Sequence, residues 1–190
     1  RVFARVIERD AGLIAGHQIN LVEQWESVPD AELGVVLVGK VDRVSVGPEG
    51  ALTLVDYKKR ALPTVISQNG GSRDARSITA SEDAEALAAD REAITSYQIP
   101  FYVWLLESLG NEVAVAAFYS LEDGKARAVV GDGVAGKSVM TRERLDEVIA
   151  HLRAKVGALV GDLDRGDYSC RDECEGCAFR GICRTRFVVR

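Results

Sequence analysis

The chain has 190 residues, 47% of them apolar and 28% charged, enough for one sizeable globular domain with a real core and a small appendage. Its net charge of -5 argues against a surface that grips nucleic acid everywhere, because phosphate binding rests on Lys and Arg displacing counterions; any such contact must be local. No run of about 18 apolar residues and no basic-then-apolar leader occurs, so neither a membrane span nor secretion is expected and a cytoplasmic location is.

The first residue is Arg, which reads as a piece of a longer protein. From Val2 to Ala15 apolar residues recur at helical spacing, with Gly16 as a stop. Ile19 to Val28, rich in β-formers and ending at Pro29-Asp30, predicts a first strand. Gly34–Val46 and Ala51–Arg60 predict a second and third, joined through Gly47-Pro48-Glu49-Gly50 as a meander. Leu62 to Ser81 has no periodicity and reads as a mobile loop. Glu82 to Leu109 reads as a helix that Pro100 kinks or divides. Two more strands are expected around Asp123-Gly124. An amphipathic helix follows over Thr141–Leu163, with Thr141 as N-cap and Glu143 and Asp146 acidic near its start. The order predicts an α/β domain with mixed strand directions.

The second and third strands carry charge where a buried hairpin usually does not. In a strand alternate residues share a face, so Leu52, Leu54, Asp56 and Lys58 point together, and a hairpin register with a five-residue connection sets Asp42 opposite Asp56. Two carboxylates held close repel each other unless a cation neutralises them, and Mg²⁺ or Mn²⁺ suits that role. The bland alternative pairs Asp42 with Arg43 or Lys40 at a solvated edge, and Asp56 with Lys58.

"GKVDRV" followed by "LVDYKKR" resembles the PD-(D/E)xK nuclease superfamily, particularly the nuclease domains of the RecB and AddB helicase-nucleases and their CRISPR-associated relatives. "YQIPFY" supplies Gln98 and Tyr102, similar to the Q-x-x-x-Y motif of that branch. The resemblance implies a restriction-endonuclease-like core over residues 1–165, a central mixed sheet flanked by helices with its N-terminal helix cut short. It also implies a cysteine-rich staple over 166–190. It further implies that Asp42, Asp56 and the Tyr57 carbonyl hold the metal, that Lys58 assists the attacking water, and that Gln98 and Tyr102 brace the site or touch DNA. Family members place a metal-binding His before the first strand. His17 is the only upstream histidine here, and Glu23 is an alternative support. His151 reads as structural.

Cys170, Cys174, Cys177 and Cys183 are spaced C-x3-C-x2-C-x5-C. Without a secretory leader this pattern reads as a metal site, and four thiolates suit either zinc or an iron-sulfur cluster. The last three resemble terminal ligands of AddB-type nucleases, which implies [4Fe-4S] with Zn²⁺ as the alternative. The expectation is therefore a Mg²⁺- or Mn²⁺-dependent DNA nuclease, exonuclease-like or associated with a helicase partner in recombination or repair. The rival is a catalytically idle DNA-binding or scaffolding domain on the same fold.

Overall fold

The computed structural model describes residues 16–59, 62–63, 65–66, 96–131 and 138–166, together with Glu8, Ala11 and Ile94. Most of the first predicted helix, most of the loop over 62–81, residues 82–93 and the four cysteines lie outside the described residues. The chain divides into two compact units, Arg1–Arg153 and Ala154–Arg190. The second is described only over a helix end and the turn after it.

Five strands form one sheet in the order β1-β2-β3-β4-β5: β1 (Gln18–Asp30), β2 (Val35–Val46), β3 (Leu52–Lys58), β4 (Val113–Ser120) and β5 (Ala126–Val130). The first three are an antiparallel meander, β4 runs parallel to β3, and β5 returns antiparallel to β4. A parallel neighbour requires a crossover connection, and α1 (Gln98–Ser108) lies in it. The second helix, α2, spans Arg142–Asp164, and the Arg144 N–H bonds the Thr141 hydroxyl at 3.3 Å, the expected cap.

The sequence dictates which strand is central. Leu52 to Asp56 are buried without interruption, the mark of a strand covered on both faces. Val44, Leu54 and Val55 and the β4 residues Ala116, Ala117, Phe118 and Tyr119 are buried, as are Ile99, Val103, Leu105 and Leu106 of α1. Transfer of such side chains from water contributes about 1.5–3 kcal/mol each before chain entropy is counted. Gly39 makes room for α1: a Cβ there would stand 3.0 Å from Leu105 and 3.0 Å from Phe101. The first ribbon is long. β1 and β2 pair from Gln18↔Val46 to Asp30↔Val35, whereas the β2–β3 ladder ends at Arg43↔Val55, so Val35–Asp42 of β2 extend past that ladder.

One expectation needs correction. Pro100 neither kinks nor divides a helix over 82–109; it sits in the first turn of α1, after Tyr97 as N-cap, and Ile94 belongs to an isolated bridge with Ile66. The first helical N–H groups have no intrahelical acceptor, so a residue without an N–H sacrifices nothing there. The helical ladder opens with Phe101 N–H to the Tyr97 carbonyl at 2.8 Å.

Candidate active site

Continuing the β2–β3 register one step past Arg43↔Val55 sets Asp42 opposite Asp56, with five residues in the connection between Val46 and Leu52. Directly opposed residues share a face, and the Asp42 charge acts on the Asp56 carboxyl. The ladder stops at this level because a side chain takes over: Asp42 Oδ2 accepts the Tyr57 N–H at 2.8 Å. Asp56 is only 1% exposed. Burial pushes its pKa up and Asp42 adds to the rise, while the Lys58 ammonium opposes both.

Around Asp56 the polar groups form a closed ring. Gln98 Nε2 donates to Asp56 Oδ1 at 2.7 Å, Lys58 Nζ donates to Gln98 Oε1 at 2.6 Å, and Lys58 Nζ lies 2.6 Å from Asp56 Oδ2. Only one orientation of the Gln98 amide makes both of its bonds. Tyr102, one turn along α1, places its hydroxyl 3.3 Å from Gln98 Nε2. The Lys58 ammonium also stands 5.6 Å from the centre of the Phe118 ring on β4. Phe118 was not foreseen; it is the register partner of Asp56 across the parallel pair, which a pairing of β3 with β4 would have disclosed.

The part of the bland alternative that pairs Asp56 with Lys58 is present, but at a buried carboxylate rather than a solvated edge. Lys40 pairs instead with Glu23, which also holds its pKa up. Glu23 is the register position facing Asp42, and its φ of 52° is left-handed, a conformation costing about 1–3 kcal/mol for a residue with a Cβ. Strict alternation along β2 sets Gly39 and Asp42 on opposite faces. Side chains of α1 nevertheless lie against Gly39 and reach Asp56, and the left-handed Glu23 stands at the level of Asp42 between them.

His17 is elsewhere. Its ring lies against Gly47 in the hairpin connection, about 20 Å along β1 from the position facing Asp42. His151 stacks near Tyr97, with ring centres 6.2 Å apart.

Among the described residues no group of three or more His, Cys, Asp or Glu side chains converges as a metal cage. A two-carboxylate site still fits Mg²⁺ or Mn²⁺, which keep waters and take phosphate oxygens for the remaining positions. Asp56 Oδ2 supports the fit: it is buried and its partner is a cation, the Lys58 ammonium at 2.6 Å, so the position already suits positive charge. Together the mixed sheet, the crossover helix and the paired acids with their lysine define a restriction-endonuclease-like α/β domain. The chain belongs to the PD-(D/E)XK nuclease superfamily, whose family model matches residues 2–184. No curated protein gives a significant match to the sequence. Members of this superfamily are usually metal-dependent nucleases, and a nuclease fold implies DNA binding. Among the described residues no helix is long and apolar enough to cross a membrane.

Proposed function

We propose that this chain is a Mg²⁺- or Mn²⁺-dependent deoxyribonuclease of the RecB/AddB-like branch, exonuclease-like or working with a helicase partner in recombination or repair. The observation that carries the reading is the opposition of Asp42 and Asp56 across β2 and β3 with Lys58 two residues on. A domain that only binds DNA gains nothing from burying the Asp56 carboxylate opposite a second acid, which disfavours the folded state.

Asp42, Asp56 and the Tyr57 carbonyl are the groups assigned to hold the ion. When bound, it supplies charge neutralisation at the scissile phosphate and an acidified water. The chain's own residues do the rest. Asp56, fixed by Gln98, presents Oδ2, and Asp42 is fixed by the Tyr57 N–H. Lys58, 24% exposed, has a charge able to swing from Asp56 toward a phosphate oxygen or the attacking water, with Gln98 Oε1 retaining one of its protons in a hydrogen bond. Water adds to phosphorus, the bond to the leaving sugar oxygen breaks, and that oxygen takes up a proton.

Incubating the purified chain with single- and double-stranded DNA and Mg²⁺ or Mn²⁺, beside Asp56→Ala and Lys58→Ala, tests this. Cutting by wild type alone is expected; absent or equal cutting in all three shows an idle domain. For Cys170, Cys174, Cys177 and Cys183 we propose a [4Fe-4S] cluster, supported by the resemblance of the last three to the terminal ligands of AddB-type nucleases, with zinc as the alternative that four thiolates suit equally. Protein purified without oxygen is then brown, whereas a zinc site is colourless.

A further inference from the structure

The projecting half of the β1–β2 ribbon has one face that the nuclease reading leaves unused. Trp25 is paired with Lys40, Ser27 with Val38 and Pro29 with Val36, so these six side chains share a face. Trp25 is 67% exposed, Val36 63% and Val38 52%. The opposite face is spoken for: Val28 is half-buried, Leu37 and Val41 are buried, and Gly39 meets α1. Single exposed apolar residues are ordinary, but a tryptophan with two valines beside it on one ribbon is a patch.

Its position decides what chemistry suits it. Lys40, directly across from Trp25, lies within electrostatic range of Asp42. From the strand geometry Trp25 is about 8 Å from Asp42, two residues along and one strand across, or about two stacked nucleotides. A strand whose phosphate sits at Asp42 and Asp56 and which runs along the projecting ribbon must pass over the indole. Bases inside a duplex are already stacked on both sides and have no free face to offer, whereas an unpaired base does.

We propose that Trp25 is a stacking platform for an unpaired nucleobase about two nucleotides from the scissile phosphate, so that the substrate is single-stranded DNA or a frayed end. The proposal rests on the nuclease reading and narrows its substrate. Lys40, paired with Glu23 in the free chain, flanks the platform and exchanges that exposed partner for the adjoining phosphate when the strand binds.

The sequence contains two tryptophans, and the other, Trp104, is 3% exposed, so quenching of the emission by a bound base reports Trp25. The test titrates the 190-residue chain, in EDTA to prevent cutting, with fluorescein-free and then fluorescein-labelled oligonucleotides. The expected result is strong quenching by single-stranded DNA and little by blunt duplex. Anisotropy should show binding about tenfold or more weaker in Trp25→Ala, with Trp25→Phe recovering most of it. Circular dichroism of both variants, altered at an exposed position, should match wild type. Unchanged emission when anisotropy shows saturation overturns the proposal, as does equal single-strand affinity in Trp25→Ala. A dimer that Trp25→Ala dissociates, with DNA binding unaltered, also overturns it and assigns the patch to a second copy. Cutting assays in Mn²⁺ separate the two claims. If wild type and Trp25→Ala cut single-stranded DNA equally well, stacking falls and the nuclease reading stands; if nothing is bound or cut, both fall.

Discussion

Replacing Gln98 with alanine tests the ring around Asp56 without touching an acid or the lysine. The glutamine supplies the hydrogen bond to Asp56 Oδ1 and Lys58 Nζ stands 2.6 Å from Oδ2, so the variant leaves a 1%-exposed carboxylate held on one oxygen only. A hydrogen bond to a charged group is worth about 1.5–3 kcal/mol. Lys58 also loses an acceptor, but at 24% exposure it reaches water and adds little. The expected destabilisation is therefore about 2–3 kcal/mol at neutral pH, measured by urea unfolding with an unchanged slope. The pH dependence is a second readout. Asp56 is already raised by burial, and losing a donor raises it further. A carboxyl whose folded pKa exceeds its unfolded one favours folding in acid, and that contribution is lost as pH rises through the folded value. The deficit of Gln98→Ala is thus largest near pH 7, shrinks as pH falls through the raised folded value, and is smallest below the ordinary aspartate value of about 3.9. A loss under about 0.5 kcal/mol at pH 7, or the same loss at both pH values, refutes the ring as the support of Asp56.

Other outcomes follow from the same geometry. Mg²⁺ or Mn²⁺ at about a hundred times its dissociation constant should stabilise the wild type by about 2.7 kcal/mol, a rise of about 5–10 °C in Tm, and do so much less in Asp56→Asn. Equal shifts in both would remove Asp56 from the metal site. Gly131→Ala should fail to fold or lose more than about 3 kcal/mol, since its Cβ would stand 2.1 Å from the Ala114 carbonyl oxygen at a φ of 76°. A soluble variant with a wild-type melting curve would contradict the β4–β5 geometry. Arg142 donates to both oxygens of Glu107 at 2.7 Å each, and to Asp146 at 2.8 Å. The pairs are partly solvated, so Arg142→Ala should lose about 1–2 kcal/mol by chemical denaturation. Lysine, which lacks the fork, should recover less than half of it, and full recovery would reduce the contact to plain charge.

The meander, the Thr141 cap, the parallel and antiparallel mixture and the Asp42–Asp56 register were legible because each rests on a local rule: alternation, turn residues and chain reversal. Pro100 was misjudged because a proline reads as a breaker unless the helix start is known, and Tyr97 carries no capping side chain to announce it. The left-handed φ of Glu23 was invisible for a similar reason. A left-handed residue is usually signalled by Gly or Asn, and here the conformation belongs to a glutamate in the middle of a strand. Gln98 was legible as a motif residue, but the two bonds that give it a role depend on how α1 meets β3, which spacing along the chain does not encode.

These irregularities have one location. A regular ladder consumes its backbone donors and acceptors strand to strand and packs its side chains against a helix, leaving no room for a substrate phosphate. Here β3 leaves β2 after Arg43↔Val55, the Tyr57 N–H turns to Asp42, and Glu23 takes its left-handed conformation at the same level. The strand continuing past that break keeps one face on α1 and turns the other, with Trp25 and Lys40, to solvent. The break therefore does two things at once: it opens a gap where two carboxylates face each other, and it leaves a projecting ledge along which an unpaired strand can be laid. Restoring the ladder would remove the gap and the ledge together.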